Sequence, residues 1–177
     1  MVAAAIVSVL PTSSASANHA QQSGAHVGYL YTTSWKVCRD GWPDGVNATD
    51  RALGLIDTSA VNPTVVACSS STKNVGVHSQ AYPDQIWYGA TGCSGYWNPA
   101  TNQCNQMKVM LNIDEIEQAP NVAKQWQKTA CHELGHVAGL GHRPDGVTSS
   151  CLAQGESPPI FTIYDAHDIN SINATYA

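Results

Sequence analysis

Hydrophobic positions along the chain follow two periodicities. Short apolar runs bounded by Ser, Gly, Asn and Pro recur at Val27 to Tyr31, Trp35 to Cys38, Val65 to Cys68, Val75 to His78, Ile86 to Tyr88 and Lys108 to Ile113. Several are rich in aromatic or β-branched residues, which predicts strands joined by loops. The spacing lengthens at Asp50 to Ile56, predicting a helix capped by Thr49 or Asp50, with Asn62-Pro63 closing the region. Gly89 to Asn105 is turn-rich and predicts a surface loop. The most regular segment has Pro120 in a first helical turn and then Val122, Ala123, Trp126, Ala130, Leu134 and Val137 at three-to-four-residue spacing, ending at Gly139. A last helix is predicted over Ala166 to Tyr176, with Asp165 as its cap and Ile169, Ile172 and Tyr176 on one stripe. No internal repeat or linker divides the chain.

Composition narrows the picture. The chain has 177 residues, 43% of them hydrophobic, which suits one domain of ordinary size. Its 13 acidic and 8 basic side chains give a net charge of -5, and no basic stripe is present to neutralise phosphates, so nucleic acid is not an expected partner. Met1 to Leu10 is almost wholly apolar and leads into Ala15-Ser16-Ala17, the small-x-small pattern that signal peptidase cleaves after. This assigns 1–17 to a signal peptide and 18–177 to a single mature domain, and predicts a secreted protein. No Lys or Arg precedes the apolar run, consistent with a truncated or misassigned start and a basic n-region upstream. The run is shorter than the ~20 residues a bilayer requires, so no stable membrane association is expected. Six cysteines in a small exported domain predict three disulfides. Order alone leaves their connectivity open, but pairing of neighbours, Cys38 with Cys68, Cys93 with Cys104 and Cys131 with Cys151, closes short loops and is favoured.

The chemistry is concentrated in His132-Glu133-Leu134-Gly135-His136-Val137-Ala138-Gly139-Leu140-Gly141-His142, the pattern HExxHxxGxxH. Residues four apart on a helix share a face, so His132 and His136 can reach one metal ion. Gly139 can take the left-handed conformation that ends a helix, letting the chain turn and return His142 to the same ion. Three imidazoles leave a coordination position open, the mark of a catalytic rather than structural zinc site. Glu133, beside the first ligand, is placed to serve as general base toward water that zinc activates, giving metal-assisted hydrolysis of a carbonyl. Chance would produce this pattern in a chain of this length on the order of once in 10⁵.

At these residues the sequence resembles the metzincin clan of zinc endopeptidases and looks most like its secreted, matrixin-type members. A weaker likeness extends over Asp165 to Ile172, which is similar to the Asp-Ile-containing C-terminal helix of matrixins. The resemblance implies an α+β fold: a twisted, mixed and mostly parallel sheet, an active-site helix behind it, a C-terminal helix, and a cleft where a peptide aligns with an edge strand. It implies one catalytic Zn²⁺ and a protein or peptide substrate, and the chain is expected to be monomeric. Metzincins carry a methionine in a turn beneath the zinc, but Met1, Met107 and Met110 all precede the motif. Leu152, within Ser149 to Gln154, stands where that turn is expected, and a Cys131–Cys151 disulfide would add restraint there. Calcium is left open: no Asp-rich loop marks a site, though backbone carbonyls could bind one. Two rival readings also stay open, a zinc-binding but inactive binding or inhibitory module, and a zinc hydrolase of a non-peptide amide.

Overall fold

The main sheet has five strands, with one edge parallel and the other antiparallel to its neighbour. A computed structural model describes residues 28–143, 149–153 and 160–177; the expected signal peptide lies outside them. In this sheet β2 (Ser34–Gly41) runs parallel to β3 (Asn62–Val65) and to β4 (Val75–Gln80), and β4 runs parallel to β8 (Met107–Asn112). The far edge, β5 (Gly89–Cys93), is antiparallel to β8. A smaller sheet joins β1 (Tyr29–Leu30), β7 (Gln103–Cys104) and β6 (Trp97–Asn98).

Helices α1 (Pro43–Ile56) and α3 (Val122–Val137) pack against each other and against the main sheet. A short α2 (Ile113–Ile116) links β8 toward α3, and α4 (Ala166–Thr175) closes the described chain. Alternate strand residues Val75 and Val77 on β4, and Met107, Val109 and Leu111 on β8, are buried, as the period of two requires. From the helices Ala52, Ile56, Trp126, Ala130, Leu134 and Val137 join the same core. Asp165 caps α4 through a reciprocal capping box with Asp168. Disulfides join Cys38 to Cys68, Cys93 to Cys104 and Cys131 to Cys151. Among the described residues no helix is long and apolar enough to cross a membrane.

Four boundaries differ from the sequence expectation, each for a physical reason. Helix α1 begins at Pro43, seven residues before the expected Asp50, with Pro43 in the first turn where its missing N–H costs nothing. Helix α3 begins after Pro120, with Asn121 as the cap accepting from Lys124 N at 3.1 Å. Strand β3 covers Asn62–Val65 rather than Val65 to Cys68; Pro63 is tolerated because β3 is an edge. The expected strand Ile86 to Tyr88 is a loop, while Gly89–Cys93, expected in a loop, is strand β5. The loop is pinned by Asn112, wholly buried, whose Nδ2 donates to Gln85 O at 3.1 Å and Trp87 O at 3.2 Å.

At Gly45, α1 comes close to its neighbours. A Cβ there would overlap the Ser79 side chain and come within 3.0 Å of the Trp126 ring. Gly→Ala in a helix interior ordinarily stabilises by about 1 kcal/mol. Here Gly45→Ala is expected instead to destabilise by roughly 1–3 kcal/mol through overpacking, read as a lower urea midpoint at unchanged slope; a raised midpoint would refute this packing account.

Candidate metal centre

Helix α3 turns its apolar stripe to the core and leaves His132 and His136, one turn apart, at the edge of that buried face, both half-buried. Its C-terminus is closed by a Schellman motif around Gly139, whose φ of 90° needs a residue without Cβ strain. Leu140 N donates to Gly135 O and Gly139 N to His136 O, each at 3.0 Å. The chain leaves the helix in a new direction and returns His142 beside the other two rings. Ring centroids are separated by 4.6 Å (His132 to His136) and 4.9 Å (each of these to His142). One nitrogen of each ring lies within 4.8 Å of those of the other two, a set able to hold a metal ion.

The hydrogen bonds of two rings fix their chemistry. His132 Nδ1 lies 2.9 Å from Cys151 O, and His136 Nδ1 lies 2.7 Å from Leu140 O. A carbonyl only accepts, so each Nδ1 must carry the proton, which leaves the Nε2 lone pair available to a metal. Burial pushes all three histidines down: His132 well below the usual imidazole range, with His136 adding to the effect; His136 below it; and His142 to about 4, again with His136 contributing. The triad is therefore held neutral, the form that binds a cation. A borderline-soft ion such as Zn²⁺ fits this all-nitrogen donor set.

Beneath the helix, Leu152 is fully buried, and a Cβ on Gly135 would meet its two methyl carbons at 3.1 and 3.2 Å. The sequence-expected turn residue thus packs directly under the turn of α3 that lies between His132 and His136. The Cys131–Cys151 bond and the His132 to Cys151 hydrogen bond flank this contact. Tyr164 adds a third tie, its hydroxyl donating to Cys131 O at 2.6 Å.

Glu133 is buried, at 5% exposure, and burial raises its carboxyl to about 7, opposed by a hydrogen bond from Thr91. Thr91, on edge strand β5, has its hydroxyl 2.6 Å from Glu133 Oε2 and 3.0 Å from Glu133 O. Two residues along, Gly89 leaves the space that this carboxylate occupies, since a Cβ there would approach Glu133 Cγ to 2.7 Å and Oε1 to 2.8 Å. Neither residue was singled out by sequence, because both sit in a stretch that reads as turn.

A cavity of about 270 Å³ opens beside the triad. Besides His132, Glu133 and His142, its walls include Trp87, Tyr88 and Gly89 from the loop and edge strand, and Gln125, Lys128 and Thr129 from α3. Lys128 is 7% exposed and desolvation lowers its ammonium group. Two further histidines lie elsewhere: His78 Nδ1 is 2.7 Å from Asp40 Oδ1, and His167 Nδ1 is 2.7 Å from Arg143 Nη1.

No protein-family model matches this chain, and no curated protein matches its sequence. Solved structures do share its fold. Archaemetzincin from Methanopyrus kandleri aligns with a TM-score of 0.51 at 15% identity, over 81% of this chain and 96% of that one. Myroilysin aligns with a TM-score of 0.50 at 13% identity, over 84% of this chain and 82% of that one. The mixed sheet and its helices are thus an arrangement this chain has in common with archaemetzincin and myroilysin.

Proposed function

We propose that the chain is a secreted zinc-dependent endopeptidase of metzincin, matrixin-like type, with His132, His136 and His142 as zinc ligands and Glu133 as general base. The observation that carries this reading is the convergence of three neutral imidazoles, two with Nδ1 committed to backbone carbonyls, beside a buried carboxylate raised to about 7. The fold held in common with archaemetzincin supports it. Three disulfides fit an oxidising compartment outside the cytosol.

Zinc bound by this triad would supply Lewis acidity toward a water molecule and a substrate carbonyl. The remaining work falls to the chain's own groups. Glu133 takes a proton from the attacking water through a carboxylate oxygen and delivers it to the departing amine. Thr91 orients the carboxylate by donating to Oε2, so it is a positioning residue. Strand β5 is a sheet edge beside the triad, where an extended peptide can add as a further strand. Leu152 supports the ligand-bearing turn of α3 in the manner of the turn methionine; as a near volume-conserving exchange, Leu152→Met should shift stability by less than ~1.5 kcal/mol and leave zinc content unchanged.

The deciding experiment is digestion of an unfolded protein substrate by the purified protein, with and without a zinc chelator. Cleavage that the chelator abolishes is expected. Glu133→Ala should keep one zinc per chain by elemental analysis and lose about 10²–10⁴-fold in rate, whereas His132→Ala should lose both metal and activity. Full activity in Glu133→Ala would sink the mechanism.

Thr91→Val, which removes the hydroxyl and keeps the shape, should lower kcat on the order of tenfold with KM little changed, because only the orientation of the base is disturbed. Thr91→Ser should recover most of the loss. Equal effects of Val and Ser, or a loss confined to KM, would count against this role.

A further inference from the structure

The third ring of the triad is held differently from the other two. His132 and His136 are carried by α3, whereas His142 lies beyond Gly139 on a segment outside the helix, so its place depends on what grips the chain on either side. On the near side, Leu140 N donates to Gly135 O, and Leu140 O accepts from His136 Nδ1. On the far side the next residue, Arg143, is gripped twice. Its backbone forms a parallel bridge with Ala153, and its N–H donates to Leu152 O at 3.0 Å, which lays the segment along the turn beneath α3. Its side chain reaches the start of α4. There Nη2 donates to Asp165 Oδ2 at 3.0 Å, Nη1 donates to His167 Nδ1 at 2.7 Å, and Nε lies 3.9 Å from Asp168 Oδ1.

This contact is largely shielded from solvent: the Arg143 side chain is 10% exposed, and Asp168 is wholly buried. A buried carboxylate requires a countercharge, and removing one partner of such a pair leaves the other uncompensated. Asp168 Oδ2 already accepts from Asp165 N in the capping box, so Oδ1 is left facing Arg143 Nε, both buried and neither in a hydrogen bond. Asp165 is shared in the same way: Oδ1 accepts from Asp168 N, while Oδ2 accepts from Arg143 and from Ser149 Oγ. A buried charge pair is a weak means of stabilising a fold. What it supplies is direction, because a planar guanidinium meets its partners in a fixed fork. The residue so directed is the chain neighbour of His142.

We infer that Arg143 is a positioning residue for the third metal ligand: its ionic latch to Asp165 and Asp168 holds the His142 segment where the ring completes the site. The inference rests on the metal-site reading above, and metal affinity measures it without turnover.

The test is zinc affinity of the purified protein, freed of metal and titrated in competition with a chromophoric chelator, with thermal midpoints of the same metal-free samples recorded alongside. Arg143→Met has a stem of similar length and no charge. It leaves Asp168 buried and unpaired, so it should both melt lower and bind zinc about 10–100-fold more weakly. Combining it with Asp168→Asn removes both charges. The midpoint of this double variant should return most of the way to wild type, while its zinc affinity stays at least about tenfold reduced. A role in stability alone predicts that midpoint and affinity recover together, and that outcome overturns the inference. If Arg143→Met does not fold, the double variant decides by itself.

A second comparison asks whether the effect passes through His142. In a His142→Ala background, itself weaker for zinc because a ligand is gone, adding Arg143→Met should cost less than about twofold more. An equal loss with and without His142 overturns the inference. Wild type that binds no zinc overturns the metal-site reading and this inference together. Tight zinc binding by wild type that is unchanged in both Arg143 variants overturns this inference alone. The expected affinities without any peptide cleavage support the inference and remove only the peptidase reading.

Discussion

The contact that the site depends on is the junction between the middle of α3 and the turn at Ser150 to Ala153. Cys131 and Cys151 join the two covalently, His132 Nδ1 donates to Cys151 O, and Leu152 fills the space under Gly135. One short turn therefore sets both the tilt of the helix and the orientation of a proposed ligand ring. If the turn shifted, His132 would lose the acceptor that fixes its tautomer, and the lone pair offered to a metal would no longer be defined. The same junction receives Tyr164, so the segment leading into α4 is tied to it as well.

Around that junction burial disfavours the charged forms of several ionisable groups, and the neutral imidazoles that result are the form able to bind a cation. Three imidazoles are depressed by burial, one carboxyl is raised by it, and an ammonium group is desolvated one turn away. Each shift records a charged form made less favourable by the surroundings. None of this helps the apolar core, which is complete without it: Trp126, Ala130, Leu134 and Val137 already bury the other face of α3. Groups held against their own solvation at the mouth of a cavity are typical of a functional site rather than of a packing solution.

The parts of this arrangement written in local sequence were those governed by a local rule. Helical spacing, the four-residue interval between His132 and His136, the terminating Gly139, and the Asp165 cap each depend on a few neighbouring residues, and each has its expected form in the structure. Neighbour pairing of the cysteines follows the same logic of short loops. What could not be seen depended on distant partners. Helix α1 extends seven residues ahead of the expected start, and at Gly45 it packs closely against Ser79 and Trp126, partners distant in sequence. Ile86 to Tyr88 has strand composition, but Asn112 holds the segment in a loop, leaving Ile86 91% exposed while Trp87 and Tyr88 turn to the cavity. Strand β5 carries two glycines and no large apolar residue, so no alternation announced it; it exists because β8 pairs with it. Thr91, and with it the positioning of Glu133, was hidden for the same reason.

Leu152 shows how a departure at one position can be absorbed by its surroundings. A methionine adapts to an irregular space because its chain is flexible, whereas leucine is branched and packs well only if the space is already defined. Here definition is supplied by other contacts: the Cys131–Cys151 bond closes a loop of 20 residues in sequence separation, a constraint worth about 3 kcal/mol through the unfolded chain, and Ser150 Oγ accepts from Leu152 N at 2.9 Å. A covalent tie thus takes over the alignment that a soft side chain otherwise provides by accommodation. On that account the leucine and the disulfide form one device, and the proposed ligand geometry depends on the pair rather than on the identity of either residue alone.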